Sequence, residues 1–168
     1  MENLILLLTA SLVLYKSSKR PQQVLIGDTG CSVLFPPHGT FESTRSDDGD
    51  VLYFSEHNEN FITHGVLCAQ LHERLPLEEA RDVLTNYMTR LQKPFSAPHS
   101  TGIVPNPNWI ASDVLVKVDD YWQDEDGVDW KLVGYTDCCT LAVLYVKNIC
   151  DAPTEDQESF LDSFCFPR

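Results

Sequence analysis

Asp28-Thr29-Gly30, inside the apolar run Val24 to Phe35, has the residue types of a loop that uses a carboxylate to activate water. That chemistry needs two carboxylates sharing one proton, because like charges at short range cannot both ionise. A second copy must then come from another lobe or a dimer. The sequence carries one copy, and Gly27 stands where an apolar residue usually precedes such an Asp. The expectation is therefore a turn between two strands. Five histidines occur, at 38, 57, 64, 72 and 99. His64, Cys68 and His72 share one strand face by alternation. Residues four apart on a strand are about 13 Å apart, whereas zinc ligands all lie about 2.0–2.3 Å from the ion. No metal and no cofactor is expected from them. Asp124, Asp126 and Gly127 have the alternating carboxylates and glycine of a calcium loop. Trp122 occupies the first ligand position and no Glu occupies the last, so a hairpin turn is expected instead. Phosphate-loop, dinucleotide, nucleophile-elbow and zinc-helix motifs are missing. The chain is expected to be non-enzymatic. A small hydrolase using a Cys or the Asp28 loop is the catalytic alternative.

The residues best suited to binding are aromatic and acidic. Trp109, Tyr121, Trp122 and Trp130 cluster around Asp124 and Asp126, within an acidic run that also holds Asp119, Asp120, Glu125 and Asp129. Aromatic side chains are favoured interface anchors, and an acidic edge attracts a basic partner. The plain alternative is that the aromatics fill the core and the carboxylates keep an edge soluble. By alternation Tyr121 and Trp122 face opposite ways, so one of them faces outward. The net charge of −13 over 168 residues excludes a nucleic-acid surface, which needs a surplus of Lys and Arg. The expected partner is another protein.

Residues 4–15, LILLLTASLVLY, are too short for an ordinary membrane span but match the apolar part of a signal peptide. The reading is an export or anchoring segment, with membrane association through residues 4–15. A helix or strand of the fold is the alternative. Lys16, Lys19 and Arg20 follow the apolar run rather than precede it, and residues 1–22 end in a polar linker. Six cysteines (Cys31, Cys68, Cys138, Cys139, Cys150 and Cys165) suggest disulfides in an exported chain and buried thiols in a cytosolic one. Their pairing stays open. If Cys138 and Cys139 lie in a strand, they point to opposite faces.

The positioning elements follow from apolar period. Val24 to Ile26, Cys31 to Phe35, Val51 to Ser55 and Phe61 to Leu71 read as strands, with Asp48-Gly49 as a hairpin signal between polar residues 42–50. Pro76 opens a helix to Gln92, whose Leu77, Ala80, Leu84, Tyr87, Met88 and Leu91 form one face. Residues 94–109, with four prolines, read as a long loop. Val114 to Trp122, Val128 to Asp137 and Thr140 to Ile149 form a meander turning at Asp126-Gly127. The last of these is apolar on both faces and so is expected at the sheet centre. Thr154 to Gln157 forms a capping box for a final helix carrying Phe160, Leu161 and Phe164. The predicted fold is a single α+β domain over residues 23–168, an antiparallel sheet covered by helices.

Ser32 to Pro36, the 76–92 helix, the hairpin at Asp126-Gly127, Leu141 to Val146 and the ending Phe160 to Phe164 together resemble the PsbP-like family of α/β/α sandwiches. That family includes the Ran-binding nuclear-import factor Mog and the bacterial envelope protein DcrB. An early F-P and a late F-x-x-S-F recur in its bacterial members. The resemblance covers roughly residues 23–168 and brings no catalytic residues with it. It implies a binding or adaptor role, in the envelope or, alternatively, as a cytosolic toxin chaperone or immunity-type adaptor. The six cysteines and the proline-rich stretch 94–109 depart from its pattern.

Overall fold

A computed structural model describes residues 20–37, 39–105, 115–150 and 152–167. The apolar segment 4–15 and Trp109 lie outside the described residues. The described order is β1 (Gln22–Leu25), β2 (Ser32–Phe35), β3 (Glu42–Arg45), β4 (Val51–Glu59), β5 (Ile62–Gln70), α1 (Leu77–Leu91), β6 (His99–Ser100), β7 (Val104–Pro105), β8 (Val116–Gln123), β9 (Asp129–Thr136), β10 (Thr140–Lys147) and α2 (Glu155–Leu161).

The sheet is antiparallel throughout, in the order β3-β4-β5-β10-β9-β8-β6, with β7 also on β8. β10 lies between β5 and β9, as its two apolar faces require, and its residues Leu141 to Val146 are all buried. The turn glycines Gly49 and Gly127 take φ of 96° and 76°, values open to Gly because it has no Cβ.

One face of the sheet holds Leu67, Leu132, Val143 and Tyr145 and is packed by α1. Leu84 and Met88 of α1 are fully buried there, each contributing about 1.5–3 kcal/mol relative to exposure. Gly65 in β5 makes room on this face. A Cβ there would stand 2.0 Å from the Tyr145 ring, which crosses the strand to reach Glu56. The other face holds Val66, Cys68, Val133 and Leu144. It is packed by α2 and by the separate β1–β2 hairpin, with Val33, Phe35, Phe160 and Leu161 in the seam. Helix and strand share this cover. Thr154 caps α2 with both bonds of the capping box, as its T-x-x-Q pattern predicts.

Three elements differ from the sequence reading. Residues 42–45 form an edge strand rather than part of a loop. Part of the 94–109 stretch lies along β8 as β6 and β7; Pro105 is tolerated there because an outer strand need not donate on its free side. Phe61 belongs to the turn and not to β5. β4 and β5 are joined by the two residues Asn60 and Phe61, with φ of 51° and 68°.

Candidate binding surface

The meander residues expected at a surface divide by burial. Tyr121 is 39% exposed and Asp126 is exposed, whereas Trp122 and Trp130 are buried at 2% and 3% and Asp124 at 5%. The two tryptophans are cross-strand partners on the α1 face, packed with Phe95 and Tyr145. Each indole N–H is taken up by a buried carboxylate: Trp122 Nε1 donates to Asp120 Oδ2 at 2.6 Å, and Trp130 Nε1 donates to Asp124 Oδ2 at 3.2 Å. Asp124 Oδ1 also accepts from the N–H groups of Asp126 and Val128, closing the β8–β9 turn. Lys147 Nζ reaches Asp124 Oδ2 at 3.1 Å while lying 4.6 Å from the Trp130 ring centre. Burial pushes the Asp124 carboxyl up, but the Val128 N–H, the Lys147 ammonium and the Trp130 indole outweigh it and hold it below its usual range. The calcium-loop carboxylate is thus the clamp of a hairpin.

Asp28-Thr29-Gly30 also forms a turn. The Thr29 hydroxyl donates to the Ile26 carbonyl at 2.7 Å and accepts from the Cys31 N–H at 3.0 Å. The described residues include all six cysteines and form no disulfide among them. Cys31 and Cys68 are fully buried in one core cluster, their thiols hydrogen-bonded to each other. That bond holds the Cys31 thiol below its usual value and, with burial, pushes the Cys68 thiol up. Cys138 and Cys139 lie in the turn between β9 and β10, not in a strand, with Cys138 at φ 73°. Cys150 and Cys165 are exposed. Among the described residues no three His, Cys, Asp or Glu side chains are placed to hold a metal ion, and no helix is long and apolar enough to cross a membrane.

The features most suited to binding lie at the β4–β5 turn. Phe61 is 94% exposed, and its carbonyl accepts from Asn148 Nδ2 at 2.9 Å, which fixes the turn. Two-residue turns with both φ positive match the twist of a hairpin and favour Asn-Gly. Here Asn60 keeps the first place and a phenylalanine takes the second. The same turn sets the register that places His57 opposite His64. Both histidines border a cavity of about 520 Å³ on the α2 side, between β4–β5, β2 and α2. The Phe35 and Phe160 rings are 6.3 Å apart; His64 stands edge-on to Phe160 at 5.0 Å, and His57 edge-on to Phe35 at 6.4 Å. His64 Nδ1 is buried with no hydrogen-bond partner among the described residues. Burial, with His57 adding to it, holds the His64 imidazole below its ordinary value, so it is neutral at pH 7.

The sequence reading missed this site. The available signal was Asn60 between two strand-like runs, which points to a tight turn and hence to the His57–His64 pairing. No family model matches the chain, and no curated protein or solved structure matches it.

Proposed function

We propose that this chain is a non-enzymatic binding protein that docks another protein through the β4–β5 turn, with Phe61 as the anchor. The carrying observation is Phe61 itself, almost fully exposed and held at φ 68°. A residue with a Cβ costs about 1–2 kcal/mol in that conformation, and Gly would take it freely. Backbone strain of this kind persists where function uses the side chain. Buried aromatic anchors carry much of the energy of protein interfaces. The net charge of −13 suits a basic partner.

The test is a photo-crosslinking residue at position 61 of the full chain in its native cells, compared with one at the exposed Glu79 of α1. The expected result is a discrete adduct from position 61 only. Phe61→Gly should remove the native complex while leaving the fold as stable as before or more so. Equal adducts from both positions, or an intact complex with Phe61→Gly, overturn the reading.

A helix on each side of an antiparallel sheet supports the finer reading as a PsbP-like α/β/α sandwich, whose members act as binding proteins. The segment 4–15 favours an exported or envelope location over a cytosolic toxin chaperone or immunity-type adaptor. The intact mass of the native protein, with and without thiol alkylation, separates the two: a shortened chain with few reactive thiols means export. The hydrolase alternative is tested by Asp28→Ala for its Asp28 version and by Cys31→Ala for its Cys version; one of them would have to abolish a hydrolytic activity for it to stand.

A further inference from the structure

We propose that the cavity between β2, β4–β5 and α2 binds a small organic cation: an amine or guanidine carried on an apolar or aromatic body. The inference does not depend on the docking role of Phe61. A volume of about 520 Å³ falls within the range of about 300–1,000 Å³ usual for small-molecule sites. Such sites combine apolar walls with a few polar groups, and this cavity does the same. Leu34, Phe35, Pro36 and Phe160 supply the apolar lining.

The polar groups select the charge. Glu59 and Asp156 are carboxylates on the lining, and Arg20 is the only Lys or Arg among the described lining residues. An anion would meet two like charges against one opposite charge. Protonating one histidine would only even that balance; His57 Nε2 stands 3.9 Å from Glu59, and burial keeps His64 neutral. A neutral His64 adds no positive charge to the cavity wall. The linked rings of Phe35, Phe160, His57 and His64 add aromatic surface, which attracts cations. A metal ion fits less well, because no three ligand side chains converge among the described residues.

The test is a charge series on one body: 2-phenylethylamine, 2-phenylethanol and phenylacetate, titrated into the isotope-labelled full chain and followed by NMR. The amine should bind with a Kd of about 1 mM or tighter, as expected for a fragment of its size. It should shift the resonances of His57, His64 and Phe160. The alcohol should bind at least about tenfold more weakly, and phenylacetate should leave these resonances unmoved. Glu59→Gln with Asp156→Asn should bring the amine down to the affinity of the alcohol. Ser159→Trp, at an exposed lining position of α2, should plug the cavity and abolish binding with the fold intact by circular dichroism. Equal binding of all three compounds would reveal a cleft without charge selection and overturn the proposal. Preferred binding of phenylacetate would show that Arg20 governs the site and would also overturn it. No shift with the amine at about 20 mM would remove the site altogether.

Discussion

Replacing Asp124 with Ala tests whether the acidic meander is an internal clamp or a docking edge. Four hydrogen bonds disappear together: those from the Asp126 and Val128 N–H groups at 3.1 and 2.9 Å, from Trp130 Nε1 at 3.2 Å and from Lys147 Nζ at 3.1 Å. The Trp130 side chain is 3% exposed, so its N–H loses its acceptor without gaining water, at about 1–3 kcal/mol. The turn N–H groups can be rehydrated, which limits each loss to about 0.5–1.5 kcal/mol. The Lys147 ammonium is partly solvated and keeps the Trp130 face, so its loss stays near about 1 kcal/mol or less. These contributions bracket about 2–7 kcal/mol, and the middle of that range, about 3–5 kcal/mol, is what is found when one partner of a buried charged group is removed. At about 2–4 °C per kcal/mol for a chain of this size, Tm should fall by about 6–20 °C.

Asp126→Ala is the matched control. Its carboxylate sits two residues away on the exposed side of the same turn, and a change there should stay within about 0.5 kcal/mol. Urea unfolding, followed by tryptophan fluorescence and far-ultraviolet circular dichroism, measures both. Partner binding should be insensitive to Asp124 at temperatures where the variant stays folded. A loss below about 1 kcal/mol for Asp124→Ala, or an equal loss for Asp126→Ala, would refute the clamp. Acid adds an independent check. The Asp124 carboxyl titrates below its ordinary value, so its stabilisation is present above about pH 4 and lost as the pH falls through the native value. Asp124→Asn should flatten that acid limb.

Gly65→Ala should destabilise the fold by about 1–3 kcal/mol or more, read from urea midpoints, because the new methyl meets the Tyr145 ring. Restoration by Tyr145→Leu would locate the clash, and a silent Gly65→Ala would deny it. His64 and His72 should titrate on opposite sides of 6.5 in an NMR titration: His64 below, through burial and His57, and His72 above, through its hydrogen bond to Asp50. The native His64 contribution to stability therefore falls as the pH drops below about 6.5, while that of His72 is complete at low pH and lost as the pH rises through its native value. The reverse order of midpoints would contradict both environments. Under reducing conditions Cys150 and Cys165 should react with a thiol reagent at once, whereas Cys31 and Cys68 should react only on unfolding. Early modification of Cys68 would show that the core opens locally.

Periodic burial explains which elements could be read from the sequence. α1 repeats its apolar face over four turns, and β10 is apolar on both faces because neighbouring strands and covering layers enclose it. Local chemistry identified the Thr154 cap, since its two hydrogen bonds need only T-x-x-Q. The edge elements gave no such signal. β3 reads Glu-Ser-Thr-Arg and is largely exposed, and β6 and β7 pair two residues at a time along β8, too few to show alternation. Phe61 was concealed by its own preference, since a phenylalanine beside isoleucine and threonine reads as a strand start. Only the chain reversal that pairs Glu59 with Ile62 moves it into the turn.

The acidic run shows a different limit. Composition counts charges, while the fold decides which of them meet water. β8 alternates Asp120 and Trp122 onto the α1 face, and the hairpin brings Trp130 opposite Trp122. Two indole N–H groups therefore enter the core as a pair and need acceptors there. Asp120 and Asp124 supply them, and a carboxylate accepts without needing a donor in return. The same aspartates that read as an acidic edge are thereby drawn inward by the tryptophans. Exposed negative charge is left to residues such as Asp126 and Asp129, and among the described residues the aromatic group nearly fully open to solvent is Phe61, on a different hairpin. The two hairpins still meet at one end of the sheet, because Asn148 donates from Nδ2 to the Phe61 carbonyl and from its backbone N–H to the Asp129 carbonyl, so partner binding by variants at positions 61 and 124 has to be compared at matched folded fraction.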